Sequence, residues 1–454
     1  METYPSTDLS EGDSNLSANR DAWTDRLDSR TRDLLKRDAN VFLHQSLSTP
    51  CMNVLENCKE SRLTDISGRQ YLDFHGNSVH QVGFANPSVI EAITRQLESL
   101  SFCTRRYTCE TAVELAEKLS DLAPGNLGKI LFAPGATSSV GMAVKLARVA
   151  TGRHKTVSMW DSFHGASLDA ISIGGESLFR KNMGPLMPGT EHVPPPEPYR
   201  CLFEDSGDCS RCRLKCARYI DYVLEREQDV AAVIAEPVRC TSVSPPPPGF
   251  WKAVRRSCNR YGALLIFDET AVCLGRTGTM FAFEQHGVVP DMVVIGKGLG
   301  GGIMPFSALI ADSRLDLAPD RALGHYTHEK NPVACAAAMA TIDYIQTRNL
   351  PERSRILGRQ ALDRLTDLKS KFDIIGDVRG RGLMFGAELV EDRLTKTPAR
   401  TAADRIMYRC LELGLSFKVS KGHILTLTPP LTVSEADLET AFKILTRALS
   451  DICC

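Results

Sequence analysis

The stretch from Leu264 to Gly302 decides how this chain folds. It begins L-L-I-F-D-E-T-A-V-C-L-G-R-T-G and, after a short gap, ends D-M-V-V-I-G-K-G-L-G-G-G. Each half opens with a short apolar run that predicts a buried parallel strand. The first run delivers Asp268 and Glu269 at its carboxyl end, and the second delivers Lys297 into a cluster of glycines. Because ligands of open α/β sheets bind outside the carboxyl ends of the strands, an acid and an amine both point toward one crevice.

That acid and amine together have a specific chemical use. A lysine can form a Schiff base with the aldehyde of pyridoxal phosphate, and an aspartate can keep the pyridine nitrogen protonated so that the ring accepts electrons. Taken singly, Asp268 and Lys297 would more simply be a strand-end acid and a surface amine. Their order resembles the class III aminotransferases, a group of fold-type I pyridoxal-phosphate enzymes. This chain repeats the G-K-G-L-G-G-G segment of that family letter for letter.

The resemblance extends from about residue 40 to the end of the chain. It implies an α/β fold-type I transferase, with a large domain built on a mostly parallel seven-stranded sheet and a small α/β domain. Alternating strand and helix patterns from Lys129 to Ile295 agree with such a sheet. We expect an N-terminal arm and part of the small domain over residues 1–62, the large domain over 63–332 and the remaining small domain over 333–454.

The composition of the chain limits which binding partners and which cellular compartment we expect. The chain has 454 residues, 24% charged side chains and a net charge of −1, so nothing favours a nucleic acid or an anionic membrane as partner. No apolar run approaches the roughly 18 residues of a spanning helix. The acidic Met1–Asn19 lacks a signal-peptide layout and is typical of a loosely docked or disordered arm. Fifteen scattered cysteines predict reduced thiols in a cytoplasmic protein.

One segment suggests a binding site for the cofactor phosphate. Gly135-Ala136-Thr137 lies between a predicted strand and a predicted helix, where free N–H groups and the helix dipole favour an anion. The family has S-G-T or S-G-S at this place, which implies phosphate binding by Ala136 and Thr137. Taken alone, a plain helix start with Ser138 or Ser139 as its N-cap would explain the stretch equally well.

Three further segments match positions around the cofactor. Phe163-His164-Gly165 matches the family's aromatic–His–Gly, whose aromatic ring stacks on the cofactor, although a core phenylalanine would also suit. Glu236 matches a glutamate near the active site; the alternative is a buried strand-end acid paired with a basic residue. Thr327 aligns with a threonine that reaches the phosphate of the neighbouring subunit's cofactor. The resemblance therefore implies a homodimer with active sites at the subunit interface.

The chain departs from the family at two positions. The glutamine of D-E-V-Q, which touches the phenolic oxygen of the cofactor, is Ala271 here. Many members that act on amino acids have an arginine two residues before x-P-P-L, and this chain has Thr426 there. A bidentate clamp for an α-carboxylate is therefore not evident.

Two segments favour a substrate whose anionic group is a phosphate or phosphonate rather than a carboxylate. Asn77–Gly83 (N-S-V-H-Q-V-G) and Thr104–Tyr107 (T-R-R-Y) are similar to segments of a lyase branch of the family, which acts on small phosphorylated or phosphonylated amino compounds. The candidate substrate-binding residues are Arg106, His80, Asn77 and Arg239. Arg105 could join them, or it could form an ordinary surface pair with Arg106.

Four cysteines form C-x7-C-x2-C-x3-C, a spacing that superficially suggests zinc: Cys201, Cys209, Cys212 and Cys216. A structural zinc site also needs tetrahedral closure, and relatives carry cysteines in the same insertion. We therefore expect no bound metal.

Together these residues predict an enzyme in which Lys297 acts as general base while Asp268 supports the cofactor. Thr426, Ala271 and the two lyase-like segments favour release of ammonia from (R)-2-amino-1-hydroxyethylphosphonate by elimination of its hydroxyl group. The alternatives are an aminotransferase acting on an ω-amine or aminophosphonate, a phospholyase acting on a phosphorylated amino alcohol, and an inactive family member that serves as a binding protein. Retention of Lys297 and Asp268 argues against the last.

Overall fold

The computed structural model describes residues 16–203 and 207–453, so most of the predicted N-terminal arm lies outside the described residues. In these ranges the helices, α1 to α14 in chain order, span Ala18–Arg26, Ser29–Val41, Pro87–Ser99, Glu110–Leu122, Ala136–Thr151, Leu168–Ile173, Ser177–Arg180, Cys209–Cys212, Lys215–Glu227, Phe250–Tyr261, Pro332–Thr347, Leu350–Lys371, Arg400–Glu412 and Glu435–Cys453. The strands, β1 to β16, span Leu55–Lys59, Arg62–Asp65, Gln70–Asp73, Leu127–Ala133, Lys155–Met159, Thr190–Val193, Val230–Ala235, Leu264–Asp268, Met292–Ile295, Ser307–Asp312, Ile375–Arg381, Met384–Asp392, Thr397–Pro398, Leu415–Ser416, Lys418–Ser420 and Ile424–Leu427.

The chain forms two compact units. The larger comprises Asn86–Cys240 and Ser244–Ser354, and the smaller comprises the described residues up to Ala85, Thr241–Val243 and the chain from Arg355 onward. This division differs from the predicted boundaries after residues 62 and 332. The β2–β3 hairpin pairs with β14 and so joins the smaller unit, whereas α11 packs on α3 and α4 and stays in the larger one.

A seven-stranded sheet forms the centre of the larger unit, in the order β4-β10-β9-β8-β7-β5-β6. The pairs from β9 to β6 are parallel, and β10 is antiparallel to both of its neighbours. Every residue of β7, β8 and β9 is buried, as expected for apolar runs covered on both faces. The predicted fold class and the strands of the opening stretch are confirmed.

This sheet brings five strand ends to one edge. Since β10 is antiparallel to both β4 and β9, β4 runs in the same direction as the parallel strands. The carboxyl ends of β4, β5, β7, β8 and β9 therefore lie along one side of the sheet. The segments that follow them carry Gly135, Phe163, Glu236, Asp268 and Lys297, which is the arrangement that the sequence predicted.

Helix α5 packs against this sheet through its small residues. Ala143 and Ala147 are fully buried in a core with β7, β8 and β9. The helix begins at Ala136 with Gly135 as N-cap, so the predicted serine N-cap is wrong. Ser139 lies in the first turn, fully buried, and its hydroxyl lies 2.8 Å from that of Ser307 on β10.

The smaller unit contains two sheets. One has the order β1-β2-β3-β14, in which β14 is parallel to β3, and the other has the order β11-β12-β16-β15, with β13 paired to β12. Helices α13 and α14 pack against each other and contact these strands. In the described part of the chain, no helix combines the length and apolar character needed to cross a membrane.

Candidate active site

Asp268 ends β8 as a buried, ionised carboxylate. Its Oδ2 lies 2.8 Å from Nδ1 of His164, and its Oδ1 accepts hydrogen bonds from the backbone N–H and the hydroxyl of Thr270. Burial alone would raise the pKa of Asp268, but the hydrogen bond and charge of His164, together with the bonds from Thr270, hold it below its ordinary value. A group that is negatively charged at neutral pH is therefore available at this strand end.

The imidazole ring of His164 contacts the carboxylate of Asp268. The ring is fully buried, and in the described residues Nε2 has no hydrogen-bond partner. The predicted role of His164 was cofactor binding, which stays a prediction. The contact that the structure provides is with the carboxylate, where the histidine fixes both the orientation and the charge of Asp268.

Lys297 follows β9 in a strained turn. Its φ of 45° lies in the left-handed region, which a residue with a side chain adopts mainly where the surroundings force it and often at functional sites. The side chain is half-buried, and no described residue hydrogen-bonds or ion-pairs with its amine. The glycines after Lys297 permit close packing, because a Cβ on Gly301 would lie 2.7 Å from side-chain atoms of Thr341 and Val89.

Close backbone approaches connect Lys297 with the other strand ends. A Cβ built on the preceding Gly296 would lie 3.1 Å from the Cβ of Ala136 and 3.4 Å from Cγ2 of Thr270. The turn that carries the lysine therefore lies beside both the start of α5 and the loop that holds Asp268. These predicted residues meet at one place.

The start of α5 can hold a phosphate. The N–H groups of Ala136 and Thr137 belong to the first turn, where an α-helix has no acceptor for them. A Cβ on Gly135 would meet open space, so an anion has room beside the N-cap. A Cβ on Gly165 would lie only 2.1 Å from Oγ1 of Thr137, which explains why glycine follows the Phe-His pair. The donors and the space both fit the phosphate of the predicted cofactor.

Phe163 and Glu236 are linked by the backbone. The Glu236 carboxylate accepts hydrogen bonds from the N–H groups of Phe163 and Cys240, at 3.4 and 3.0 Å. The half-buried Phe163 ring packs on Phe179, with ring centroids 4.6 Å apart. Glu236 thus positions the loop that carries the aromatic ring predicted to stack on the cofactor, rather than pairing with a basic residue.

Glu269 was not predicted to have a role. It is fully buried and accepts hydrogen bonds from the N–H groups of Ala282 and Phe283, both at 2.7 Å, and so fixes the turn over 282–286. Burial raises the pKa of Glu269 to about 8. The adjacent acidic pair Asp268-Glu269 was visible in the sequence, but the direction in which each side chain points was not.

The predicted anion-binding arginines in the larger unit differ in environment. Arg105 and Arg106 are both exposed. Arg239 is 94% buried; its guanidinium forms a 2.8 Å ion pair with Glu197 and donates to the carbonyl of Trp160 at 2.7 Å. An incoming anion would have to displace Glu197 to use Arg239. The substrate-binding role of Arg106 and Arg239 stays a prediction.

Asn77 and His80 belong to the smaller unit. Asn77 is exposed in a short turn with a φ of 46°. His80 is fully buried, packs on Phe84 with ring centroids 4.8 Å apart, and lies 3.7 Å from the carboxylate of Asp73. This burial suits a structural histidine, and the predicted role in substrate binding stays untested.

Thr327 and the cysteines complete the predicted set. Thr327 is exposed in the loop before α11. The four clustered cysteines are free thiols, and burial raises the pKa of Cys216 to about 12. Within residues 16–203 and 207–453, no group of three or more His, Cys, Asp or Glu side chains is placed to hold a metal ion.

Known proteins resemble this chain along nearly its whole length. A sequence model described as Aminotransferase class-III matches residues 44–449. The (R)-1-hydroxy-2-aminoethylphosphonate ammonia-lyase of Vibrio splendidus is 45% identical, with 98% of this chain and 95% of that protein covered. The leucine/methionine racemase of Thermococcus litoralis is 36% identical over 93% and 96%. A crystal structure of a Bacillus anthracis aminotransferase superposes with a TM-score of 0.86 at 29% identity, covering 94% of this chain and 100% of that one.

Proposed function

This chain belongs to the class III aminotransferase family, and we propose that it is a pyridoxal-phosphate-dependent lyase that releases ammonia from (R)-1-hydroxy-2-aminoethylphosphonate. The observation that carries the proposal is the 45% identity to the Vibrio lyase across 98% of this chain. The absence of an arginine at Thr426 agrees with it, since a carboxylate clamp is not needed for a phosphonate substrate.

Pyridoxal phosphate bound here would supply an electron sink for the charge that develops on the substrate carbon. The first turn of α5, with Ala136 and Thr137, would hold its phosphate, and Phe163 would cover one face of its ring. Asp268 would hold its ring nitrogen, because His164 keeps that carboxylate ionised. These assignments use the anion-binding helix start, the aromatic ring and the negative charge for the groups each suits.

Lys297 performs the proton transfers. Its amine takes a proton from the amine-bearing carbon of the substrate, and the hydroxyl group on the adjacent carbon leaves as water. Hydrolysis of the released enamine consumes one water and gives phosphonoacetaldehyde and ammonia, so no net water and no second substrate are needed. The strained backbone at Lys297 helps to fix the direction of the amine.

The proposal includes a homodimer in the cytoplasm. Phe102 and Tyr107 are large side chains exposed by 41% and 72%, and Phe102 contacts the ring of His328, next to Thr327. Such an exposed apolar surface beside the Thr327 loop supports a second subunit that covers it and receives Thr327 at its own site. All cysteines that the structure describes are free thiols, which agrees with a reducing compartment.

Ammonia release without a keto acid tests the proposal. Purified holoenzyme is incubated with (R)-1-hydroxy-2-aminoethylphosphonate while ammonia, aldehyde and the visible cofactor band are followed. We expect continuous ammonia and aldehyde formation with the band retained. A single turnover that bleaches the band and is restored by pyruvate would identify an aminotransferase, the function that the family description itself favours. Ammonia from phosphoethanolamine but not from the phosphonate would identify a phospholyase.

A further inference from the structure

A basic groove lies between helices α9 and α10 of the larger unit, and none of its lining residues belongs to the segments that follow the strand ends of the candidate active site. Its volume is about 370 Å³. Its lining consists of three small side chains, three exposed arginines and one acid: Ala217, Ala253 and Ser257, then Arg218, Arg256 and Arg260, and Asp221. Small residues facing each other on neighbouring helices leave a depression, and the arginines stand around it.

The lining of this groove carries more positive than negative charge. Helix α10 contains Lys252 and three arginines but no acidic residue. Arg255 pairs with Asp291 at 2.6 Å, whereas Arg256 and Arg260, one turn apart on the same helix face, repel each other. In the described ranges, no carboxylate lies within 4 Å of the guanidinium groups of Arg218, Arg256 or Arg260.

A single acid shares the groove with the three arginines. Asp221 on α9 accepts a hydrogen bond from the hydroxyl of Ser257 at 2.7 Å. Three cations and one anion leave an excess of two positive charges in the groove, in a chain whose total charge is −1. The excess matches a dianion, and the remaining acceptor capacity of Asp221 suits a hydroxyl or amino group on the same ligand.

We propose that this groove binds a small phosphorylated or phosphonylated metabolite at a site separate from the active site. Guanidinium groups pair with the oxygens of a phosphate or phosphonate through two parallel hydrogen bonds, and three arginines line this groove. The volume lies in the range of small-molecule sites and exceeds what one inorganic phosphate fills. The arginines surround one depression rather than forming a stripe, which favours a small ligand over a nucleic acid.

Calorimetric titration of the holoenzyme with glycerol 3-phosphate at low ionic strength tests the site. We expect saturable binding that Arg256→Gln and Arg260→Gln each weaken about tenfold. Lys252→Gln, which removes one positive charge from the same helix outside the groove, should change affinity less than twofold. Glycerol 3-phosphate could also bind at the active site. Such binding would inhibit turnover, and it would do so equally in the unchanged protein and in all three variants, so it can be told apart from binding in the groove.

Saturable binding lost in the arginine variants but kept in Lys252→Gln would support the groove. No saturable heat up to about 10 mM ligand would overturn the proposal, as would equal weakening in all three variants, since that would indicate general electrostatic attraction. If Arg256→Gln fails to fold, Arg218→Gln provides the same test from the opposite helix. The outcome does not depend on which reaction the enzyme catalyses.

Discussion

The residues predicted to hold the cofactor and those predicted to hold the substrate anion, called here the cofactor end and the substrate-anion end, differ in how their charges are held. Asp268 is 95% buried, with hydrogen bonds from His164 and Thr270 that fix its position and its ionisation. Arg106, by contrast, is exposed, and Arg239 is neutralised by its ion pair with the partly buried carboxylate of Glu197. The folded chain thus already holds the Asp268 carboxylate in one position and in its charged form. Of the arginines predicted to bind the substrate anion, neither Arg106 nor Arg239 is prepared in this way.

The largest expected effect is the loss of Lys297. Lys297→Ala should lower ammonia release by about 10⁴-fold or more, because no other described amine follows a strand end of this sheet. Borohydride reduction should then no longer link the cofactor to the protein. Lys252→Ala serves as control and should retain full activity, since this lysine lies exposed on α10. Appreciable turnover by Lys297→Ala would refute the assignment of the cofactor end.

The next effect concerns the charge of Asp268. Asp268→Asn keeps the size of the side chain but removes the negative charge, so turnover should fall by about 10²- to 10³-fold. The amide can still accept from Thr270, and the fold should therefore persist. Stopped-flow measurement of substrate-proton abstraction isolates the step. A fall of less than about threefold would mean that Asp268 only supports the structure.

At the substrate-anion end, the ion pair between Arg239 and Glu197 can be tested through the stability of the protein. Arg239→Gln should lower the free energy of unfolding by about 3 kcal/mol, because Arg239 and Glu197 form an ion pair whose side chains are largely removed from water, and the carboxylate would lose this 2.8 Å contact. The double variant Arg239→Gln with Glu197→Gln should recover most of this loss in denaturant titrations. If instead the single variant is stable but its KM for substrate rises tenfold or more, Arg239 releases Glu197 to bind the substrate anion.

Arg106 and Arg105 form a matched pair for substrate recognition. Both are exposed and adjacent, so their side chains differ mainly in direction. Arg106→Gln should raise KM for the phosphonate about tenfold with little change in kcat, whereas Arg105→Gln should change neither by more than about twofold. Equal, small effects in both variants would show that they are an ordinary surface pair and that the anion is held elsewhere.

The sequence predicted which residues follow the strand ends, because chain order sets their positions; their roles toward the cofactor stay predictions. Parallel strands place the residues after them at one edge, so short apolar runs located Asp268 and Lys297 without knowledge of packing. The contacts of side chains were not predictable in this way. Arg239 follows a strand end as Asp268 does, yet its partner Glu197 is 42 residues away in the chain. His80 similarly matched a motif, and only the packing of the smaller unit shows that it is buried.

The smallest expected effect is a shift in pH dependence. The pKa of Asp268 lies below its ordinary value through His164 and, to a lesser degree, Thr270. The charge of the carboxylate in the folded protein is therefore lost only as the pH falls through this lowered pKa. Its contribution to stability is complete above the ordinary pKa of an aspartate and is lost as the pH falls from there through the lowered pKa. His164→Gln should raise the pKa of Asp268 and move the acidic limb of kcat to higher pH, with less than about threefold change near pH 8. Thr270→Val, which removes one neutral hydrogen bond, should shift that limb less. If the pH profiles of the unchanged protein, His164→Gln and Thr270→Val instead coincide, His164 does not set the charge of Asp268. In that case the cofactor end would differ from the substrate-anion end only in the burial of its carboxylate.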